Sequence, residues 1–253
     1  MDEKTIYCAG STPASQYAQR FLEESGLRFS NLPDSNVIAL LLDVPSFGDA
    51  GQLRMGGQIQ AVLETLPKDI TIYGGNLTHP ALDGYQTVDF LKDEYYLAQN
   101  AYITAECALD VALPYLTRTI RDCPVLIIGW GRIGKCLSQL LQTFGAKVTV
   151  AARKESDRAI LYGLGFEGIK TENLDSELKR FRLIYNTVPQ LILPRKQAVE
   201  IPENCTVIDL ASKNGTEYDD VVIARGLPGI HMPESSGKLI AETFLRYYKE
   251  GTL

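Results

Sequence analysis

The chain has 253 residues, 45% of them hydrophobic and 22% charged, which suits two modest α/β domains better than one small core. Its formal net charge is −6 and no long basic run occurs, which argues against a nucleic-acid partner or an anionic-membrane surface but allows a local basic pocket. The N-terminus lacks a basic-then-apolar leader and no apolar stretch is long enough to span a bilayer, so a cytoplasmic protein is expected.

Five scattered cysteines, Cys8, Cys107, Cys123, Cys136 and Cys205, form no CxxC pair and read as reduced, mostly buried thiols. With only His79 and His231 as imidazoles, no metal site is expected.

In chain order, "TIYCAG" reads as a strand ending in a glycine turn. "PASQYAQRFLEESG" follows as a helix, with Pro13 early and Gly26 at its stop. "VIALLLDVP" is a continuous apolar run and so a buried strand; "GGQIQAVLETLP" reads as a helix and "DITIYGG" as the next strand. This βαβαβ pattern predicts a small parallel sheet. Residues Asp93 to Tyr115 repeat apolar side chains every three or four positions, predicting a long connecting helix. A second alternation begins at "CPVLIIGWGRIGKCLSQLLQTFGAKVTVAARK", read as strand, turn, helix, Gly145 stop and strand. "FRLIYNTVP" and "NCTVIDLAS" are later strands, and "PESSGKLIAETFLRYYKEG" is an amphipathic C-terminal helix. The fold class expected is α/β, with two Rossmann-like doubly wound parallel-sheet domains. Residues 1–93 form an N-terminal domain with helix 233–253 packing back on it, 94–120 a linking helix, and 121–232 the dinucleotide-binding domain.

Gly129, Gly131 and Gly134 fit GxGxxG, with an apolar strand before and an amphipathic helix after. The first glycine allows the tight turn, the second the approach of a pyrophosphate, and the third close packing of helix on strand. The pyrophosphate then sits on the helix N-terminus, with Trp130, Arg132 and Ile133 beside it. About twenty residues on, an acidic side chain would hold the ribose 2′-OH of NAD; here stand Ala152, Arg153 and Lys154. Two cations beside a small residue suit a 2′-phosphate, so NADP is expected as cofactor, with NAD as the alternative. Asn186, Thr187 and Pro189, at the end of a later strand, are expected on the nicotinamide side.

Two further polar clusters close the candidate list. "DLASKNG" holds Asp209, Ser212, Lys213 and Gly215, and "RGLPGIHMPESSG" holds Gly226, Pro228, Gly229 and His231. Ser235-Ser236-Gly237 reads as a helix opening able to hold an anion. Asp209 suits a turn ligand or a base, and His231 a proton shuttle.

"NAYITAECALDVAL", "GWGRIG", "KVTVAARK", "NTVP", "DLASKNG" and "GLPG" occur in the order and approximate spacing of the A subunit of bacterial dipicolinate synthase, and the chain from Asn100 to about Leu245 resembles that family. The N-terminal part is less similar and looks shorter, "TEYDDVVIARGLPG" is compressed, and Lys213 stands where the family commonly has Arg. The resemblance implies an architecture like that of the D-2-hydroxyacid dehydrogenases, with a substrate cleft between the domains. It implies NAD(P)-dependent oxidation of a dihydrodipicolinate-type cyclic dicarboxylate to dipicolinate, together with a flavoprotein-like second subunit, in a sporulation-related family. Carried over by position are Asn100, Thr104, Glu106, Asn186, Thr187, Pro189, Asp209, Ser212, Gly215, Gly226, Pro228 and Gly229.

On this reading Glu106, Asp209 and His231 are the base candidates. Asn100, Thr104, Ser212, Lys213, Gly215, Gly226, Pro228 and Gly229 face a small carboxylated substrate. A homodimer is expected from the two-domain dehydrogenase shape. The alternatives are a D-2-hydroxyacid dehydrogenase-like enzyme on another small carboxylate, and a non-catalytic NADP-binding or partner-binding protein.

Overall fold

The computed structural model describes residues 4–48, 50–54 and 56–250. The outermost residues of the expected N-terminal domain and C-terminal helix, 1–3 and 251–253, lie outside them. Backbone contacts divide the chain into two compact units, residues 1–100 with 228–253 and residues 101–227. Each unit is an α/β fold on one parallel sheet, the class expected from the sequence.

The first unit holds β1 (Thr5–Cys8), α1 (Pro13–Glu24), β2 (Phe29–Ser30), β3 (Val37–Leu41), α2 (Ile59–Leu63), β4 (Thr71–Gly74) and β5 (Gln86–Asp89). Its sheet runs β2-β1-β3-β4-β5, the flavodoxin-like order, with its switch point between β1 and β3. The short edge strands β2 and β5 were not expected, because neither carries an apolar run. The helix expected over "GGQIQAVLETLP" is only the five residues of α2: Gly56 and Gly57 have positive φ before it, and Pro67 follows it.

At the start of α1, Thr12 caps Ser15 N–H and Pro13 opens the first turn. The buried face of α1, including Ala14, Ala18 and Leu22, packs against α9 (Pro233–Glu250). Gly237 lies in that contact; a Cβ there would come within 2.6 Å of the Ala14 carbonyl oxygen. Of the run Ser235-Ser236-Gly237, read as an anion-holding helix opening, Gly237 instead packs on α1 and Ser236 is buried with its N–H donating to Met232 O just ahead of the helix, while Ser235 is exposed.

α3 (Glu94–Ala112) begins behind Asp93, whose carboxylate accepts from Tyr96 N–H (2.6 Å), Tyr247 OH (2.6 Å) and Arg246 (2.7 Å). Desolvation by burial raises the pKa of Asp93, but the bonds from Arg246, Tyr247 and Tyr96 outweigh it, so the net shift is downward. A carboxyl depressed in the folded state stabilises the fold above its unfolded pKa, and that contribution fades as pH falls through the folded value. Asp93→Asn is therefore expected to cost about 2 kcal/mol at pH 7, judged from charge-assisted bonds. The difference from wild type should shrink below about pH 4, the unfolded value for Asp. Urea denaturation at pH 7 and pH 3 checks it; an equal cost at both would refute the charge argument.

The second unit holds β6 (Pro124–Ile128), α4 (Arg132–Thr143), β7 (Lys147–Ala151), α5 (Glu155–Gly163), β8 (Glu167–Ile169), α6 (Leu174–Glu177), β9 (Leu183–Asn186), α7 (Arg195–Ala198), β10 (Thr206–Asp209) and β11 (Val222–Ile223). The order β11-β10-β9-β6-β7-β8 is the dinucleotide-fold pattern, with its switch point between β6 and β9. Register aligns Ile128, Asn186 and Asp209 across three adjacent strands, so the loops after them emerge side by side. The long connecting helix ends at Ala112, followed by one 3-10 turn to Tyr115. Most of "GLPGIH" is the short helix α8 (Leu227–His231).

Candidate functional site

At the switch point of the second sheet, each fingerprint glycine does a different job. Gly129 has φ +107°, and a Cβ there would strike Thr187 Oγ1 and lie 2.9 Å from Val188 Cγ2. Thr187 is fixed in turn: its N–H and its hydroxyl both donate to Ile128 O, at 3.0 and 2.9 Å. Gly134 is buried, and a Cβ would run into the Gly129 carbonyl oxygen. Gly131 differs: it is exposed, it caps α4 at an ordinary φ of −83°, and no atom lies within 4 Å of its would-be Cβ. The open face at Gly131, ahead of the first turn of α4, leaves space for a ligand anion.

A cleft of about 930 Å³ including its open mouth lies here, lined by Gly129, Trp130, Gly131, Thr187, Val188 and Pro189 and by Ala152, Arg153 and Lys154. Ile133 is half-buried beside it, and Arg132 is exposed on the first turn of α4. The Trp130 ring meets Phe166 edge-on at 6.1 Å, with the Lys135 ammonium 5.8 Å from its centre. Ala152 is buried, while Arg153 and Lys154 are exposed. Asp157, which sequence reasoning passed over, lines the same cleft. Arg158 was missed as well: Nη1 donates to Ala152 O (2.9 Å) and Arg153 O (2.8 Å), fixing the backbone that presents the two cations. Its signal was a basic residue one turn into α5, four positions after Lys154.

Asn186 and Asp209 form a buried knot below this cleft. Asn186 Nδ2 donates to Asp209 Oδ1 and Val188 O, both at 3.1 Å, and its Oδ1 accepts from Val188 N–H at 3.0 Å. Asp209 also accepts from Ala211 N–H (2.9 Å) and Gly215 N–H (2.8 Å). Gly215 sits where a Cβ would strike Asn186 Nδ2 and lie 2.8 Å from Val188 O. The geometry of Asn186, Asp209 and Gly215 is that of loop organisers. Ser212 and Lys213 lie exposed on the loop so held, and Arg225 Nε donates to Ala211 O (3.0 Å) from its other side. Gly226 has φ +65° just before α8.

On α3, Glu106 is half-buried and hydrogen-bonds the exposed Tyr102 one turn earlier. That bond, and the nearby carboxylate charge, raise the pKa of the Tyr102 phenol, with desolvation adding to it and Cys136 of α4 contributing last. Thr104 is buried on the same helix. Asn100, Pro228, Gly229 and the exposed His231 fall in the first unit.

The switch point of the first sheet has its own occupant. Asp43, 4% exposed just beyond β3, accepts from Thr12 Oγ1 and Ser15 Oγ (2.6 Å each), Thr12 N–H (3.1 Å) and Ser11 N–H (3.3 Å). The start of α1 is thus occupied by the chain's own carboxylate rather than left open to a ligand. Sequence reasoning missed Asp43, although an acid ending an apolar strand opposite "GSTPAS" was a readable signal.

Residues 96–192 match the family described as D-isomer specific 2-hydroxyacid dehydrogenase, NAD binding domain. The A subunit of dipicolinate synthase from Bacillus subtilis (strain 168) is 27% identical over 159 residues, 60% of this chain and 54% of that protein, so the match spans about half the relative's length. The crystal structure of the dipicolinate synthase A subunit from Bacillus halodurans superposes with a TM-score of 0.86 at 22% identity, covering 96% of this chain and 97% of the other. The A chain of dipicolinate synthase from Bacillus subtilis gives 0.83 at 20% identity, over 99% and 97%.

Proposed function

From a chain that is a divergent relative of the dipicolinate synthase A-subunit family, carrying an NAD-binding dehydrogenase domain, we propose a nicotinamide-dependent oxidoreductase acting on a small cyclic dicarboxylate of the dihydrodipicolinate type. The observation that carries this reading is the division of labour among Gly129, Gly131 and Gly134 at the switch point. Two glycines are sterically required and the one between them faces empty space, as a pyrophosphate site needs. Residues 121–232 are the proposed cofactor domain. When bound there, the dinucleotide supplies the hydride acceptor.

The chain's own residues do the rest. Gly131 and the first turn of α4 hold the pyrophosphate, and Thr187 and Pro189 border the nicotinamide end. Ser212 and Lys213 bind substrate carboxylate from a loop held by Asp209 and Gly215. Glu106 is the preferred proton acceptor, since it is only half-buried and the raised pKa of its partner Tyr102 keeps that phenol protonated. Asp209 ranks below it because its oxygens are already engaged. A second protein of the complex is proposed because the relative is described as one subunit of a synthase.

NADP is the proposed cofactor, from Arg153 and Lys154 in the cleft and Ala152 where an acid would exclude a 2′-phosphate. NAD is the second reading, favoured by Asp157 in the same cleft, a carboxylate able to accept from a ribose 2′-OH. Titrating NADPH and NADH separately against Trp130 fluorescence distinguishes them. On the first reading, NADPH binds more tightly, and Arg153→Ala with Lys154→Ala costs about 1.5–3 kcal/mol, roughly ten- to a hundredfold, in NADPH affinity while sparing NADH. Tighter NADH binding, abolished by Asp157→Asn, establishes the second. Binding of neither sinks both, and turnover of dihydrodipicolinate tests the reaction itself.

A further inference from the structure

We propose that the second unit carries an anion-binding pocket, at the end of its sheet opposite the dinucleotide cleft, that takes a small ligand bearing two or more phosphate groups. The pocket opens beneath β6, β9 and β10, beside Pro124 at the start of β6, Arg182 just before β9 and Asn204 two residues before β10. It has a volume of about 1080 Å³ including its open mouth. The cofactor fingerprint lies at the other ends of these strands, so the two sites do not share residues.

Three arginines, Arg118, Arg121 and Arg182, line this concavity, and all three are exposed. Thr117, Thr119 and Asn204 add hydroxyl and amide donors to the wall. Among the described residues, no ion pair is formed by any of the three arginines. Asp122, the carboxylate in the lining, is directed to Lys147 at 3.5 Å. Three other exposed cations of this unit are paired with acids: Arg180 with Glu167 and Glu177, Arg195 with Asp219, and Lys179 with Glu200.

Three like charges facing one cavity repel one another unless a counter-anion sits among them. Guanidinium forks match phosphate oxygens two at a time. Several forks around a concave site favour a compact oligoanion over a flat partner surface. In a chain of net charge −6 this concentration of positive charge is local, so an anion would be attracted to the pocket rather than to the protein as a whole. This inference does not depend on the proposed oxidation reaction.

The test uses the full-length protein and inorganic pyrophosphate. Cys123 lines the pocket as a half-buried thiol, which gives a local reporter. Calorimetric titration is paired with peptide-resolved alkylation of Cys123 and Cys136, on wild type, on Arg118→Gln with Arg182→Gln, and on Arg153→Gln. Expected are saturable binding, slower alkylation of Cys123 but not of Cys136, and at least tenfold weaker binding in the double variant at unchanged Tm. Arg153→Gln should leave Cys123 protection intact. The proposal is overturned if pyrophosphate fails to bind, if only Arg153→Gln weakens it, or if a polyglutamate peptide protects Cys123 and pyrophosphate does not.

Discussion

Asp209→Asn is expected to lower the Tm of the protein by roughly 6–12 °C, with or without nucleotide present. Asp209 is fully buried and accepts from Asn186, Ala211 and Gly215. An amide in its place presents one oxygen and one donor group, so one carboxylate oxygen facing two N–H donors, or one facing Gly215, is lost. A charge-assisted bond lost inside the protein, with its donor left unsatisfied, costs about 3 kcal/mol. For a protein of this size each kcal/mol is worth about 2–4 °C. The same substitution separates two roles. If Asp209 were the proton acceptor, Asp209→Asn would keep its Tm and lose kcat alone. If it organises the loop, Tm falls and KM for substrate rises, because Ser212 and Lys213 lose their support. An unchanged Tm would remove the organising role.

A pair of glycine variants carries the second large effect. Gly134→Ala places a methyl against the Gly129 carbonyl oxygen and 3.6 Å from Ile127 Cγ2. Backbone cannot rotate away as a side chain can, so α4 must lift from β6. The expected cost is about 2–3 kcal/mol of stability, as for an overpacked core, together with loss of the Trp130 response to nucleotide. Gly131→Ala meets no neighbouring atom within 4 Å and keeps an ordinary φ. It should fold within about 0.5 kcal/mol of wild type, as exposed substitutions do, yet bind dinucleotide at least tenfold more weakly. Calorimetric melting beside fluorescence titration reads both effects. Gly131→Ala binding as wild type would dismiss the cleft as the cofactor site.

Much of this was readable because it is local. The fingerprint glycines announce themselves through their spacing within six residues, although the side chain that demands Gly129, Thr187, lies far along the chain, and the apolar runs of β3, β6 and β10 need no partner to be recognised. The two sheets followed from the alternation of such runs with helical periods. What escaped depends on partners far along the chain. Asp43 reads as the polar end of a strand until Thr12 and Ser15, some thirty residues earlier, are seen to point at it. Asp209 reads equally well as a base or a turn ligand until Gly215 N–H and Asn186 close on it. Edge strands such as β2 and β11 bury too little to leave an apolar signature. Gly237 looked like a ligand-binding glycine because its true neighbour, α1, lies more than two hundred residues away in sequence.

Asp43 has a consequence for stoichiometry. A carboxylate tethered at the first switch point competes with any free anion at an effective concentration that a dissolved ligand does not reach. That crevice therefore behaves as a site saturated from the moment of folding. Two sheets of related design should titrate with one equivalent of dinucleotide per chain, not two.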